Sequence, residues 1–489
     1  MRVREFATFF RFYVWRIAFV SLLGLVPCFW HKRIEAGDLP SHTYNAWLAH
    51  LALLGQAPGV YLDSRWNNIL FDFALEKLTA AFGYAAGERV LVVFCVLIFF
   101  WGAFALIAAA NLRAPWVLVP AILMVTYGWT FYSGFMNFYL AIGLGFFAAA
   151  LAWRGSRTDF AVAGVLAFVA FLAHPFGFAA VLGMAIYLRL AEILTGALRW
   201  ALFAAALLIV WAFRYYAVHL RSEYFHTKDF YEMNGADQLV LFRAHYEYLA
   251  YAVVAFGMIC FLAGTLPEWK SDSERWRFRA PLELWIVLLL AAAVIPEVIF
   301  FPQYPGPFAL IISRLTCVTA ILGLCVLSSI RPKIWHLLGW SACAALFFVW
   351  TYQDTGKLNN MESQAETFAS SLPYGRRVVE TIHDSEESRL GFINHMVDRA
   401  CIGKCFTFSD YEPSTLQFRI RVVPGSPVVT DSMWESGNME DGCYVVKAQD
   451  LPMNEIYQCD EKDLSKLCMR ELTAGEENGR LGYRPDPYR

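Results

Sequence analysis

Six ionisable side chains stand in or beside apolar stretches of this chain: Asp38, His42, His174, Arg214, Glu297 and Arg314. Holding such a group at membrane depth is costly, so its presence there points to a site. A carboxylate such as Asp38 can accept the proton of an attacking hydroxyl. Imidazole and guanidinium donors suit the opposite need, the charge on a phosphate or another oxyanion. Each residue also has an ordinary reading. Asp38 could cap a helix beginning near Pro40, and His42, four residues on, could be a solvated surface histidine. His174-Pro175 could be a helix break, Glu297 and Arg314 a structural ion pair, and Arg214 a side chain snorkelling to headgroups. What sets them apart is a shared depth, and that depends on the elements that carry them.

The chain has 489 residues, 58 % hydrophobic and 17 % charged, with a mean hydropathy of +0.43. Soluble domains carry roughly 25 % charge. Residues 1–354 hold 25 Lys/Arg against 20 Asp/Glu, net +5, whereas residues 355–489 hold 15 against 22, net −7. The pattern predicts a multi-span membrane domain over 1–354 and a soluble acidic domain over 355–489. A cytosolic enzyme, a nucleic-acid binder and a secreted domain are excluded.

A membrane helix needs about 20 apolar residues. Such runs lie near 12–30, 90–109, 115–131, 137–153, 159–174, 176–190, 199–215, 248–265, 282–301, 309–329 and 334–351, predicting about eleven spans. Basic residues collect at the N-terminus (Arg2, Arg4, Arg11, Arg16) and in every second loop after it: Arg113; Arg154 and Arg157; Arg189 and Arg199; Lys270, Arg275, Arg277 and Arg279; Arg331 and Lys333. By the positive-inside rule the N-terminus is cytoplasmic and the tail outside. The expected fold is an all-α polytopic membrane protein with a small extracytoplasmic α/β domain, in the cytoplasmic (inner) membrane. On that topology His174, Arg214, Glu297 and Arg314 come from four helices at one depth near the outer face, beside the loop holding Asp38 and His42.

The first outer loop, 31–89, contains two amphipathic stretches near 42–55 and 67–83, expected to lie in the membrane interface. In the tail, 358–371 reads as a helix, and 377–382, 416–423 and 443–446 read as strands. No nucleophile elbow, phosphate loop or zinc-protease motif occurs there. Cys401, Cys405, Cys443, Cys459 and Cys468 are dense enough to imply disulfides in an oxidising compartment. A metal site around Cys401 and Cys405 with His395 is the alternative.

In architecture the chain resembles the GT-C class of integral-membrane glycosyltransferases, which take sugars from polyprenyl-phosphate carriers. The likeness covers the cytoplasmic N-terminus, the many-span core, the helical first outer loop and the outer C-terminal domain. As a motif it is carried by Gly37-Asp38-Leu39-Pro40-Ser41-His42. The resemblance implies that Asp38 is the general base on an acceptor hydroxyl, with Arg314, Arg214 and His174 available to the departing lipid phosphate. It implies a polyprenyl-phosphate-linked sugar donor as partner, with a glycan, lipid or protein acceptor. Many members place a second acid beside the first. Here Leu39 and Pro40 follow Asp38, which argues against a divalent metal, and the sequence requires no cofactor. Asp63 is a second candidate carboxylate. A transporter or flippase of a lipid-linked substrate and a non-catalytic envelope assembly protein are the competing readings. Midplane charges and internal repeats would mark a transporter, and neither is present.

Overall fold

The computed structural model describes residues 3–223, 233–242, 245–264, 272–302, 306–383, 389, 395–460 and 462–479. Of the basic positions used for orientation, Arg2 and Lys270 lie outside the described residues, as do parts of loops 216–247 and 302–308. The protein is a helical membrane protein with small sheets near its C-terminal end.

Its helices are α1 (Val3–Leu25), α2 (Leu39–Leu53), α3 (Leu70–Phe82), α4 (Tyr84–Asn111), α5 (Val119–Thr126), α6 (Trp129–Tyr132), α7 (Met136–Arg154), α8 (Arg157–Ala173), α9 (Pro175–Ile193), α10 (Gly196–Ala217), α11 (His245–Ala263), α12 (Asp272–Val294), α13 (Ile311–Leu327) and α14 (Ile334–Ser371), then α15 (Met396–Cys401) and α16 (Met433–Glu440) in the tail. Among the described residues, seven helices are long and apolar enough to cross a membrane: α1 with its short extension to Cys28, α4, α7, α9, α10, α11 and α14. The count of eleven is therefore corrected. The 115–131 stretch is broken at Tyr127 and Gly128 into short pieces. α8 and α13 have 17 residues each, about 25 Å of helix against about 30 Å of hydrocarbon. α12 begins in charged sequence and ends at Val294, short of the expected 301.

α4 and α7 form the centre of the bundle. A Cβ on Gly102 would come within 2.4 Å of the Gly143 carbonyl oxygen, so glycine lets these two backbones touch. Phe99 and Tyr139 stack at 4.4 Å beside that crossing.

The strands are β1 (Val60–Leu62), β2 (Ser222–Glu223), β3 (Val298–Ile299), β4 (Arg376–Thr381), β5 (Cys405–Thr407), β6 (Ile420–Val422), β7 (Met453–Gln458) and β8 (Leu467–Leu472). The tail's sheet runs in the order β5-β4-β7-β8, with β4 parallel to both neighbours and β8 antiparallel. The expected strand at 377–382 is β4. Of the expected 416–423 strand only β6 forms, and it pairs with β1 of the first loop, not with the main sheet. The stretch 443–446 makes no strand, only an isolated bridge from Val445 to Glu477.

Two further corrections concern how the tail is mounted. α14 is one unbroken helix of 38 residues, so the boundary placed at 354/355 falls inside it. α2 is not an interfacial helix. Leu39 through Ala49 and Leu51 are buried, because the tail covers the side that would have faced headgroups. Trp47 stacks on Phe406 at 5.6 Å, and the Tyr44 hydroxyl accepts from the Thr407 backbone N–H at 2.9 Å. α2 fits this place because its apolar residues surround small polar ones on every side, as buried helices require. The tail carries two disulfides, Cys401–Cys405 and Cys459–Cys468, with Cys443 outside both. The bridge answers the alternative of a metal held by Cys401 and Cys405.

Candidate functional site

The first loop is anchored by its backbone. The Gly37 and Asp38 N–H groups donate to the carbonyls of Tyr132 (2.8 Å) and Ser133 (3.0 Å) in the turn between α6 and α7. Gly134 makes this approach possible. Its φ is +80°, and a Cβ there would sit 2.3 Å from the Asp38 nitrogen. Asp38 then starts α2 without capping it, since its side chain makes no cap hydrogen bond. The carboxylate is left to face a cavity of about 550 Å³ between the bundle and the tail.

Asp38, His42, His174 and Arg314 all line this one cavity. His42, one turn along α2, puts Nδ1 2.7 Å from Asp72 Oδ1 and 3.8 Å from Glu412 Oε1. Burial opposes its charge, but Asp72, Glu412 and Asp38 outweigh burial and push its pKa up to about 9. Asp72 is held in turn by Asn137, whose amide donates to it at 2.8 Å and whose carbonyl accepts from the Phe71 N–H at 2.9 Å. His174 is the extended hinge between α8 and α9. Its Nδ1 accepts from the Gly177 N–H at 3.4 Å, which leaves Nε2 to carry the proton of the neutral ring. Arg314 lies over the Phe135 ring, 4.0 Å from the centroid. Its Nε is buried without a hydrogen-bond partner, an arrangement that favours an anion.

Glu297 and Arg214 do not line the cavity. Glu297 caps α13, accepting from the Ile312 N–H at 2.8 Å and the Ser313 N–H at 3.2 Å. It thus supports the helix that carries Arg314 without pairing with it. Arg214 donates to the Val294 carbonyl at 2.8 Å and ties α10 to the end of α12. Asp63 pairs with Arg421 at 3.2 Å beside the β1–β6 ladder.

The tail supplies a wall that the sequence did not announce: Arg389, His395, Tyr411, Phe418 and Glu440. His395 Nε2 lies 3.9 Å from Asp38 Oδ1, and its Nδ1 lies 3.0 Å from Asp398 Oδ2. Burial opposes its charge, yet Asp398, Asp38 and Glu440 together raise the imidazole well above its usual range. Glu440 is pushed up to about 8, chiefly by burial and by Asp398. Glu412, raised to about 7 by burial despite His42, accepts from Ser41 Oγ at 2.9 Å. The spacing His395-x-x-Asp398 was the one available signal for this wall.

Arg389 closes the cavity's inner side. It donates to the Asp237 carbonyl at 2.6 Å and lies 3.5 Å from the Asp237 carboxylate. The neighbouring Gln238 bridges α6 and α13, accepting from the Thr130 N–H at 3.0 Å and donating to Thr316 Oγ1 at 2.8 Å. The same segment, Asn234 to Leu239, borders a second cavity of about 570 Å³ lined by Met124, Val253, Trp285, Leu289 and Leu324. A polar chamber and an apolar one therefore share a partition.

The arrangement provides a carboxylate base, an unpaired guanidinium and a neutral imidazole donor within one chamber. Compared with protein-family models, curated proteins and solved structures, the chain matches none.

Proposed function

We propose that this chain is a GT-C-type membrane glycosyltransferase that moves a sugar from a polyprenyl-phosphate carrier to an acceptor hydroxyl. The cavity lies at the outer face of the cytoplasmic membrane, with the N-terminus cytoplasmic and the tail outside. One observation carries the reading: Asp38 and His42 from α2, His174 between α8 and α9, and Arg314 from α13 converge on a single cavity. Scattered structural charges would have no reason to meet there.

In this reading Asp38 accepts the acceptor's proton as its oxygen attacks the anomeric carbon, an effect typically worth 10²–10⁴ in rate. The bond from that carbon to the phosphate oxygen breaks, and the phosphate leaves with the electron pair. Arg314 and the His174 Nε2–H stabilise that charge. The apolar chamber behind the Asn234–Leu239 partition is suited to isoprenoid chain. The residues do not call for a metal at Asp38, which has no second carboxylate beside it in sequence.

The test compares wild type with Asp38→Asn in proteoliposomes supplied with a panel of polyprenyl-phosphate sugars, following sugar release and carrier binding. Turnover should fall by about 10²–10⁴ with carrier binding retained. A wild type that consumes no donor, but moves it between leaflets, would replace the transferase reading with transport.

A further inference from the structure

Behind the tail's wall lies a second group of charges. Glu380 in β4, His395 before α15 and Asp398 within α15 each offer one ligand-type atom, and these atoms lie within 4.8 Å of one another, all buried. His395 Nδ1 and Asp398 Oδ2 hydrogen-bond at 3.0 Å, a contact that both atoms would give up to an ion between them. Octahedral bonds of about 2.1 Å set neighbouring ligand atoms about 3.0 Å apart and tetrahedral ones about 3.4 Å, so an ion is accommodated with a shift of a few tenths of an ångström at most. Glu380 is steadied from the far side, accepting from the Val397 N–H at 3.1 Å through Oε2. The Cys401–Cys405 bridge ties the end of α15 to β5, which leads on to Asp410.

A separate observation points to a cation. Asp398 is 0 % exposed and its Oδ1 has no hydrogen-bond partner. Asp410, 1 % exposed, leaves Oδ2 equally unpartnered, although its Oδ1 accepts from the Glu412 N–H. Buried polar atoms nearly always have partners, and a carboxylate oxygen left without one is costly. One imidazole faces three carboxylates here, and no Lys or Arg is paired with Glu380, Asp398 or Asp410 among the described residues.

We propose that Glu380, His395 and Asp398, with Asp410 beside them, bind one divalent first-row cation of the Mn²⁺ or Zn²⁺ class, His395 ligating through Nδ1. Mixed imidazole and carboxylate donors suit these ions. A metal on Nδ1 keeps the ring's proton on Nε2, the nitrogen that faces Asp38, so the ion would make His395 a positioning residue for that carboxylate. This last consequence rests on the transferase reading. The ion site itself does not.

The experiment uses the full-length protein in detergent, dialysed against Mn²⁺ or Zn²⁺ and then freed of loose metal. Elemental analysis should find about one ion per chain, and EDTA should lower the unfolding temperature until the ion is returned. Asp398→Asn and Glu380→Gln should each cut the bound metal at least tenfold, while Asp38→Asn keeps it even where turnover is lost. Should either variant fail to fold, pulsed EPR of the Mn²⁺-loaded wild type decides, with coupling to a histidine nitrogen expected. The proposal is overturned if wild type takes up no ion and ignores EDTA. It is equally overturned if the variants retain the metal, or if no nitrogen couples to it.

Discussion

Asp398 and Arg399 are neighbours on one short helix and belong to opposite kinds of charge cluster. Arg399 reaches Glu88 at 2.7 Å, Glu362 at 2.8 Å and Glu35 at 3.7 Å, and Arg33 joins Glu362 at 3.2 Å. Burial and Glu362 push the Glu35 carboxyl well above its usual range. Arg33, Arg399 and Lys32 then face Glu88, Glu362 and Glu366, although Glu35 Oε1 accepts no hydrogen bond. On the other side, Asp398 and His395 stand among acids whose oxygens lack partners. Burial of charge is common to both clusters. What distinguishes them is the counter-charge: among the described residues, guanidinium groups meet the carboxylates of one cluster and an imidazole meets those of the other. The guanidinium cluster works as a brace between the first loop, α4, α14 and α15.

The strongest way to break the comparison is Arg399→Met. It strands Glu88 without a counter-charge, leaves Glu362 to Arg33 alone, and should cost about 3–5 kcal/mol of stability, read as a fall in unfolding temperature in detergent. An unchanged temperature would mean that packing, not charge, holds the brace. Arg314→Gln should act in the other sense, weakening carrier-phosphate binding by roughly 10–100-fold, since hydrogen bonds to charged groups are worth about 1.5–3 kcal/mol. Folding should be nearly untouched. Arg214→Gln should show the reverse, a stability loss of about 1 kcal/mol with binding intact, and equal effects on binding would erase the distinction between them.

Gly134→Ala sharpens the picture at the joint between loop and bundle. The left-handed backbone and the 2.3 Å approach to the Asp38 nitrogen predict a penalty of about 1–3 kcal/mol, with turnover falling further than stability because Asp38 moves. Matching losses would place the effect in folding alone. The smallest effect concerns pH. His42, raised to about 9 by Asp72, Glu412 and Asp38 against burial, contributes stability in full below its unfolded value near 6.5. That contribution is lost as pH climbs through about 9. The unfolding temperature should decline across this window, and His42→Gln should flatten the decline.

The apolar runs were legible because hydropathy is a one-dimensional property, and most of each run falls on helix, with breaks at Tyr127-Gly128 and after Val294. The cavity's bundle side was partly legible for the same reason: charge is rare at that depth, so Asp38, His42, His174 and Arg314 stood out. Arg214 and Glu297 were expected at the same depth but point elsewhere, since sequence gives position along a helix and not which neighbour the side chain meets. The Val294 carbonyl and the first turn of α13 claimed them. The tail's wall was hidden because His395, Tyr411 and Glu440 sit in polar sequence, where one more charge is unremarkable. The burial of α2 escaped for a related reason. Its cover, Phe406 and Thr407, is remote in the chain, and no local period reports a partner that far away.

That remoteness has a bearing on biogenesis. Tyr44 and Thr407, whose contact seats the tail on α2, are separated by 363 positions, and β1 waits as long for β6. A ribosome adding about 5–20 residues per second would deliver the first loop to the membrane well over ten seconds before its cover emerges. Through that interval Asp38 stands on an unroofed surface, Arg314 joins it only late, and the side of α2 that the tail will bury is still bare. The chamber between bundle and tail is thus incomplete until the tail has folded over α2.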